Sequence, residues 1–267
     1  MISNDTTLQA TVTRGQVQSA LQESSARTGT DFRYLLRVAQ RESHFRAAAR
    51  APNSSAAGVF QFNQQTWLHM VKTYGAQYGL GAEAKEIATA ANGRQEVSDP
   101  AARQAILAER NDPRLSALMA GELANENRDY LEKRLGRPVS DGEVYAAHIF
   151  GATGALRLIR AAADNPDQAA AQVLPAAAHA NHSLFYGRGG HKSRSAGQVM
   201  AQFEGGAGTA PADAQPIRLA ANTDTTLLAS DDDFDARPIP AGVPLPRSRP
   251  ADMLSPDTAT LLASFAT

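Results

Sequence analysis

The chain has 267 residues, of which 43 % are hydrophobic, 26 are lysine or arginine and 27 are aspartate or glutamate. This charge balance argues against a nucleic-acid binder held by a basic field, and the absence of cysteine excludes disulfides, thiolate nucleophiles and cysteine-ligated metal sites. No apolar run approaches the ~20 residues that cross a bilayer, so we expect no membrane span. The first fifteen residues lack a basic segment followed by an apolar core, which predicts no signal peptide.

Helix start signals recur along the first 204 residues. The side chains that can cap a helix are, in chain order, Thr30 or Asp31 for residues 32–45, Asn63 for residues 64–74 ending at Gly75, Asp99, Asp112 and Ser140. A proline follows Asp99 and Asp112 at the first helical position, and the second of these helices ends at Gly136. Glu143 completes a capping box with Ser140. Because no segment alternates with period two, we predict an all-α fold.

Composition changes near residue 205. Residues 205–267 hold 8 of the 14 prolines, no lysine or glutamate, and 4 arginines against 8 aspartates, for a net charge of −4, whereas the first 204 residues carry +3. We therefore predict a domain over residues 14–204 and a disordered tail over residues 205–267. The tail repeats Thr-Leu-Leu-Ala-Ser at 226–230 and 260–264, either by chance or as a pair of docking motifs.

Glu42 is the first candidate for chemistry. Helical spacing places it on one face with Leu35, Val38, Ala39 and Phe45, in the last turn of its predicted helix. Desolvation and the negative end of the helix dipole both raise the pKa of a carboxyl in that position, as a general acid requires. The spacing alone is also typical of a glutamate whose head group reaches solvent.

The irregular segment after Glu42 offers groups that suit a neutral polar ligand such as an acetamido sugar. Gly58 permits a close backbone approach, and Gln61 can both donate and accept a hydrogen bond. Phe60, Phe62 and the only tryptophan, Trp67, supply flat rings for a sugar, although the helical spacing around Trp67 is more typical of a core residue.

Three segments together resemble the catalytic domain of soluble lytic transglycosylases, which is glycoside hydrolase family 23 and has a lysozyme-like fold. They are Glu42-Ser43, residues 54–62 (Ser-Ser-Ala-Ala-Gly-Val-Phe-Gln-Phe) followed by Thr66-Trp67, and residues 147–151 (Ala-His-Ile-Phe-Gly). They are similar to the family's Glu-Ser pair, its Gly-Leu-Met-Gln-like turn and its Ala-Tyr-Asn-x-Gly element. The resemblance covers about residues 25–190, and residues 145–155 look like the variant of alphaproteobacterial members.

The resemblance implies a reaction without water or cofactor. Most glycosidases use two carboxylates, whereas this family uses one glutamate twice, which implies that Glu42 is the sole acid and base. The bond cleaved would join N-acetylmuramic acid to N-acetylglucosamine in peptidoglycan, and the product would carry a 1,6-anhydromuramyl end. Ser55 and Gln61 would position sugar substituents, and Phe60 would form a wall where the family has methionine.

The third segment departs from the family pattern. Alignment places His148 where the family has a tyrosine thought to hydrogen-bond near the reacting sugar, and Tyr145 lies one turn earlier on the same face. Either could take that role, or His148 is a buried core histidine. Among the other carboxylates, spacing predicts caps for Asp99 and Glu143 and a solvated position for Glu122.

Three further predictions concern metal ions, binding partners and cellular location. His179, His182 and His191 lack the one-face spacing of a helical metal site, so we expect no metal, and the basic segment 188–194 is typical of a solvated loop. We expect a monomer in the periplasm or cell envelope that binds glycan strands, with the tail recruiting it to an envelope, secretion or flagellar apparatus. The alternatives are a muramidase that uses water and a non-catalytic peptidoglycan-binding module.

Overall fold

The computed structural model describes residues 12–50, 54–187 and 192–204, which all belong to one compact unit. In these ranges the helices are α1 (Arg14–Thr28), α2 (Phe32–Ser43), α3 (Gln64–Tyr74), α4 (Gly81–Glu86), α5 (Pro100–Ala108), α6 (Pro113–Leu135), α7 (Asp141–Phe150), α8 (Ala152–Asp164), α9 (Ala170–Val173), α10 (Pro175–Ala180), α11 (His182–Phe185) and α12 (Ala196–Glu204). The predicted all-α fold is confirmed. The predicted tail over residues 205–267 and its repeat lie outside the described residues, so the boundary of the predicted domain stays a prediction.

Short side chains begin most of the predicted helices. Asp31, rather than Thr30, caps α2, and Asn63 caps α3. Asp99 and Asp112 cap α5 and α6, each with a proline at the first helical position, and Ser140 with Glu143 forms the capping box of α7. These predictions are confirmed because each cap satisfies backbone N–H groups within the first turn, which neighbouring residues alone decide.

Helix ends were harder to predict. The second helix stops at Ser43, two residues early, because His44 and Phe45 adopt positive φ angles of 53° and 64°. Gly136 ends α6 in the left-handed region, as expected. Helix α3 ends at Tyr74, directly before Gly75, as expected, but Gly75 is not left-handed: its φ is −55° and the chain continues as a 3-10 helix over Gly75–Tyr78.

The long helix α6 lies at the centre of the fold. Helices α1, α2, α3, α7 and α8 all contact it, and α12 packs on α7 and α8. Fully buried apolar side chains fill the space between them, among them Leu21, Leu35, Leu118 and Leu131. Within the described ranges there is also a small sheet, the antiparallel pair β1 (Ala88–Thr89) and β2 (Gln95–Glu96), which the sequence patterns did not predict. None of the described helices has the length and apolar character needed to cross a bilayer.

Candidate functional site

Glu42 lies in the last turn of α2 with its carboxyl group inside the protein. Its side chain is 2 % exposed, so the reading in which the head group reaches solvent is wrong. The Tyr145 hydroxyl, on α7, donates a hydrogen bond of 2.6 Å to Glu42 Oε1. Because this one bond from the described residues replaces the several water contacts of an exposed carboxylate, the ionised form is poorly compensated.

Burial has a large effect on the proton affinity of Glu42. Desolvation raises the pKa of the carboxyl to about 7, although the Tyr145 hydrogen bond and the positive charge of Arg41 both act to lower it. With a pKa in this range, Glu42 is present in both its protonated and its ionised form near neutral pH. Such a group can donate a proton in one step and accept one in the next.

Tyr145 is held on three sides. The Arg41 guanidinium carbon lies 5.0 Å from the ring centroid, and the Phe203 ring of α12 meets it edge-on at 5.7 Å. The His148 ring stacks on the remaining side at 5.9 Å, with 15° between the planes. Burial raises the pKa of the Tyr145 hydroxyl well above its usual value, so the group stays protonated and remains a donor to Glu42.

His148 faces the same carboxyl from one turn further along α7. Its Nε2 lies 3.9 Å from Glu42 Oε1 and has no hydrogen-bond partner among the described residues. A hydrogen bond to the backbone of Phe60 holds the ring, and burial lowers the pKa of His148 to about 4. The imidazole is therefore neutral at neutral pH. The fold thus brings Glu42, Tyr145 and His148 together.

The helices that carry these groups are joined by an ion-pair cluster that sequence reasoning missed. Asp141, at the start of α7, pairs with Arg37 of α2 and, at 3.0 Å, with Arg128 of α6. All three side chains are about one third exposed, so the cluster contributes modestly to stability. Its geometric effect is to fix α7 against α2, which sets the distance between Tyr145 and Glu42.

The loop over residues 54–62 approaches the rest of the protein very closely at Gly58. Gly58 has a φ of 83°, and a Cβ atom there would lie 1.9 Å from the main-chain oxygen of Arg110. Its N–H donates to the Ala49 carbonyl at 3.0 Å. Only glycine fits this position, for both conformational and steric reasons.

Gln61 has a role inside this loop. Its side-chain nitrogen donates to the carbonyls of Ala49 at 3.1 Å and Gly58 at 2.8 Å, and its own φ is 50°. The amide group is buried, so its nitrogen serves the loop and is not free for a sugar. We expected Gln61 both to donate a hydrogen bond to a ligand and to accept one. The first part of this expectation is wrong, because the donor nitrogen is already used within the loop.

Arg110 anchors the loop from the opposite side. Its guanidinium donates through Nη1 to the carbonyls of Ser55 at 2.6 Å and Phe62 at 3.1 Å, and through Nε to Leu107 at 2.8 Å. Burial lowers its pKa to about 10, which leaves it charged at neutral pH. No sequence pattern marks Arg110, because an arginine near the end of a helix is usually solvated.

The aromatic side chains of the loop do not form a sugar platform. Phe60, Phe62 and Trp67 are fully buried, and the Trp67 indole donates to the Ile106 carbonyl at 2.7 Å. The expectation of flat surfaces for a sugar ring is therefore wrong, while Trp67 is the core residue that its spacing favours. Ser55, by contrast, is exposed at the edge of the loop.

Two further expectations are corrected. Glu122 is not a simple solvated residue, because it accepts a hydrogen bond from the Tyr78 hydroxyl. In the segment predicted as a solvated loop over residues 188–194, Arg194 is instead half-buried and its guanidinium donates to the carbonyls of Ser183 and, at 2.9 Å, Leu184, while residues 188–191 lie outside the described ranges. Within the ranges that the structure describes, no group of three acidic or histidine side chains could hold a metal ion. His191 lies outside those ranges.

Residues 19–102 match the model of the family described as Transglycosylase SLT domain. The matched segment contains Glu42 and the loop over residues 54–62, and it ends before α7, which carries Tyr145 and His148.

Proposed function

Because residues 19–102 form a transglycosylase SLT domain, which has a lysozyme-like fold and acts on peptidoglycan in the cell envelope, we propose that this protein is a lytic transglycosylase. The bond that it cleaves is the β-1,4 bond between N-acetylmuramic acid and N-acetylglucosamine. The product retains a 1,6-anhydromuramyl end. Glu42 is the only catalytic acid and base.

The reaction has two steps that balance without water. Protonated Glu42 gives its proton to the glycosidic oxygen, the bond to C1 breaks, and N-acetylglucosamine leaves with a free hydroxyl. The 6-hydroxyl oxygen of the muramyl sugar then attacks C1, and its proton passes to the Glu42 carboxylate. The enzyme returns to its starting state, since the second step replaces the proton that the first step used.

The observation that carries this proposal is the buried Glu42 carboxyl, with its pKa raised to about 7 and its hydrogen bond from Tyr145. A pKa near the operating pH suits a group that must be acid and base in turn. Glu143 is unsuited to share the work, since it is bonded to Ser140 and to Arg137. Its pKa is held below the ordinary value by those partners.

The other predicted site residues take separate roles in this proposal. Tyr145 fills the role of the family's tyrosine, which its bond to Glu42 supports. Exposed Ser55 binds a sugar substituent at the edge of the loop over residues 54–62. Gln61 shapes this loop and offers its carbonyl oxygen to the substrate, and Phe60 supports the loop from within the core.

Mass spectrometry of muropeptides released from purified sacculi tests the proposal. The wild-type protein should release products lighter by one water than hydrolytic ones, and Glu42→Gln should release none. Glu86→Gln is the matched control, because it makes the same change on an exposed helix and should retain activity. Hydrated reducing ends would instead indicate a muramidase, and the absence of any release by the wild type would favour a binding module.

The site of action in this proposal is the periplasm, and residues 205–267 recruit the protein to an envelope, secretion or flagellar apparatus. The acidic, proline-rich composition of this segment, with a net charge of −4, supports such a role. A pull-down with the segment from an envelope fraction should retain a component of such an apparatus. Retention of none would contradict the recruitment.

A further inference from the structure

We infer that His148 is a positioning residue for the reacting proton: it presents an unprotonated Nε2 at 3.9 Å from Glu42 Oε1, as the acceptor toward which protonated Glu42 turns its proton. The inference rests on the proposed function, since it concerns the proton that Glu42 gives and takes. It differs from a direct contact between His148 and the sugar. It makes a statement about the free protein that can be measured without substrate.

The first step of the argument fixes the tautomer. The ring forms a hydrogen bond with the backbone of Phe60, while Nε2 is the ring nitrogen without a partner in the described part of the chain. Nδ1 therefore makes the backbone bond, and because this bond favours the protonated ring, Phe60 contributes its carbonyl as acceptor. In a neutral imidazole with Nδ1 protonated, Nε2 carries a lone pair and accepts hydrogen bonds.

The second step concerns the unpaired atom. The His148 side chain is 5 % exposed and that of Glu42 is 2 % exposed, so bulk water does not satisfy Nε2. A buried acceptor without a donor is unfavourable and in native proteins usually has an explanation. Glu42 Oε1 lies 3.9 Å away, and catalytic hydrogen bonds are often long in the free enzyme and shorten when substrate binds.

The third step weighs the charged and titratable groups that face this pair. Arg41 from α2 and the Tyr145 hydroxyl from α7 both favour the ionised form of Glu42. Tyr34, also on α2, stays protonated because burial raises its pKa, and Asp141 and Arg128 act on Tyr34. The His148 lone pair acts in the opposite sense, because it repels a carboxylate and accepts the proton of a carboxylic acid.

Nitrogen-15 NMR of histidine-labelled protein tests the tautomer directly. At neutral pH the His148 ring should show a protonated Nδ1 and an unprotonated Nε2, and the Nε2 signal should move in Glu42→Gln, whose amide can donate to it. The signal is assigned by its absence in His148→Gln. A proton on Nε2, or a signal that Glu42→Gln leaves unchanged, would overturn the inference even if the protein proved inactive.

The pH dependence of kcat/KM supplies the second measurement. In His148→Gln the amide N–H can donate to the Glu42 carboxylate and stabilise it, so the basic limb should move to lower pH by about one unit. His69→Gln is the matched control, because His69 bonds to Glu126, away from the site. The basic limb of the pH profile should not move in this variant. An unchanged limb in His148→Gln would overturn the inference, whereas an inactive wild type would overturn the proposed function.

Discussion

The two halves of the candidate site are built in different ways. Glu42 and the loop over residues 54–62 are marked by short-range features, namely a helix that ends at Ser43 and a glycine with positive φ at position 58, and Arg110 supports the loop from a distant segment. Tyr145 and His148 are instead placed by packing, since α7 contacts α6, α8 and α12. The comparison teaches that a family signature can mark the first half while the second half depends on the surrounding helices.

The first half should be the more sensitive to a single added methyl group. Gly58→Ala places a Cβ atom 1.9 Å from the Arg110 carbonyl at a φ of 83°. Strain and overpacking together should lower the free energy of unfolding by about 4 kcal/mol. Chemical denaturation measures the change, with Gly29→Ala as control because its Cβ would meet nothing within 4 Å. An equal loss of unfolding free energy in both variants would show that the positive φ alone, and not the contact with Arg110, causes the destabilisation.

The second half should respond to loss of an aromatic support. Phe203→Ala removes a buried ring that packs edge-on against Tyr145 and Phe150. Deleting a buried phenylalanine destabilises a protein by about 3 kcal/mol or more. Thermal unfolding gives the stability, and the activity of the remaining folded protein should fall as well. Full specific activity would mean that α12 does not position Tyr145.

The buried acid should make stability depend on pH. Since the pKa of Glu42 is raised from 4.5 to about 7 in the folded state, the contribution of its protonated form is complete below 4.5 and is lost as pH rises through about 7. Glu42→Gln has no ionisable group at this position, so its free energy of unfolding should not show this fall with rising pH. Relative to wild type the variant should therefore gain up to about 3 kcal/mol between pH 4 and pH 8, measured by urea unfolding. A constant difference across this range would contradict the buried ionisation.

Loss of the Tyr145 hydroxyl should shift the pKa of Glu42 in the direction opposite to the shift expected for His148→Gln. Tyr145→Phe removes the 2.6 Å bond that lowers the pKa of Glu42, so the basic limb of kcat/KM should move to higher pH. More Glu42 is then protonated at pH 7, but the carboxylate that forms when Glu42 gives up its proton loses a charge-assisted hydrogen bond of about 1.5 kcal/mol, so we expect activity at pH 7 to fall roughly tenfold. A shift to lower pH would show that Tyr145 does not donate to Glu42.

The smallest effect should come from the cap of α3. Asn63→Ala removes the side-chain oxygen that accepts from the Thr66 N–H at 2.8 Å and should cost about 1 kcal/mol. Asp99→Ala at the start of α5 should have a similar effect, since it removes the same kind of cap. Thermal unfolding of both variants tests whether local caps act independently of the site. Neither variant should shift the pH profile.

Local patterns predicted much of the fold. The caps at Asp31, Asn63, Asp99, Asp112 and Ser140 all begin helices as expected, because each acts within four residues. The same signal was present and overlooked at Thr13, whose capping box with Gln16 begins α1. The predicted end of α3 at Gly75 is also confirmed, although the chain continues there as a 3-10 helix, which the local pattern did not predict.

The sequence by itself determined the all-α class, most helix starts and the place of Glu42 on an apolar face, since each depends on neighbours within one or two turns. Tertiary structure alone decided that Glu42 is buried, that Tyr145 donates to it and that His148 places beside it a nitrogen with no hydrogen-bond partner among the described residues. The same holds for Arg110, which supports the loop by bonding to carbonyls about fifty residues away. These features depend on contacts between distant segments, and burial, which sets the pKa of Glu42, exists only once those segments have packed together.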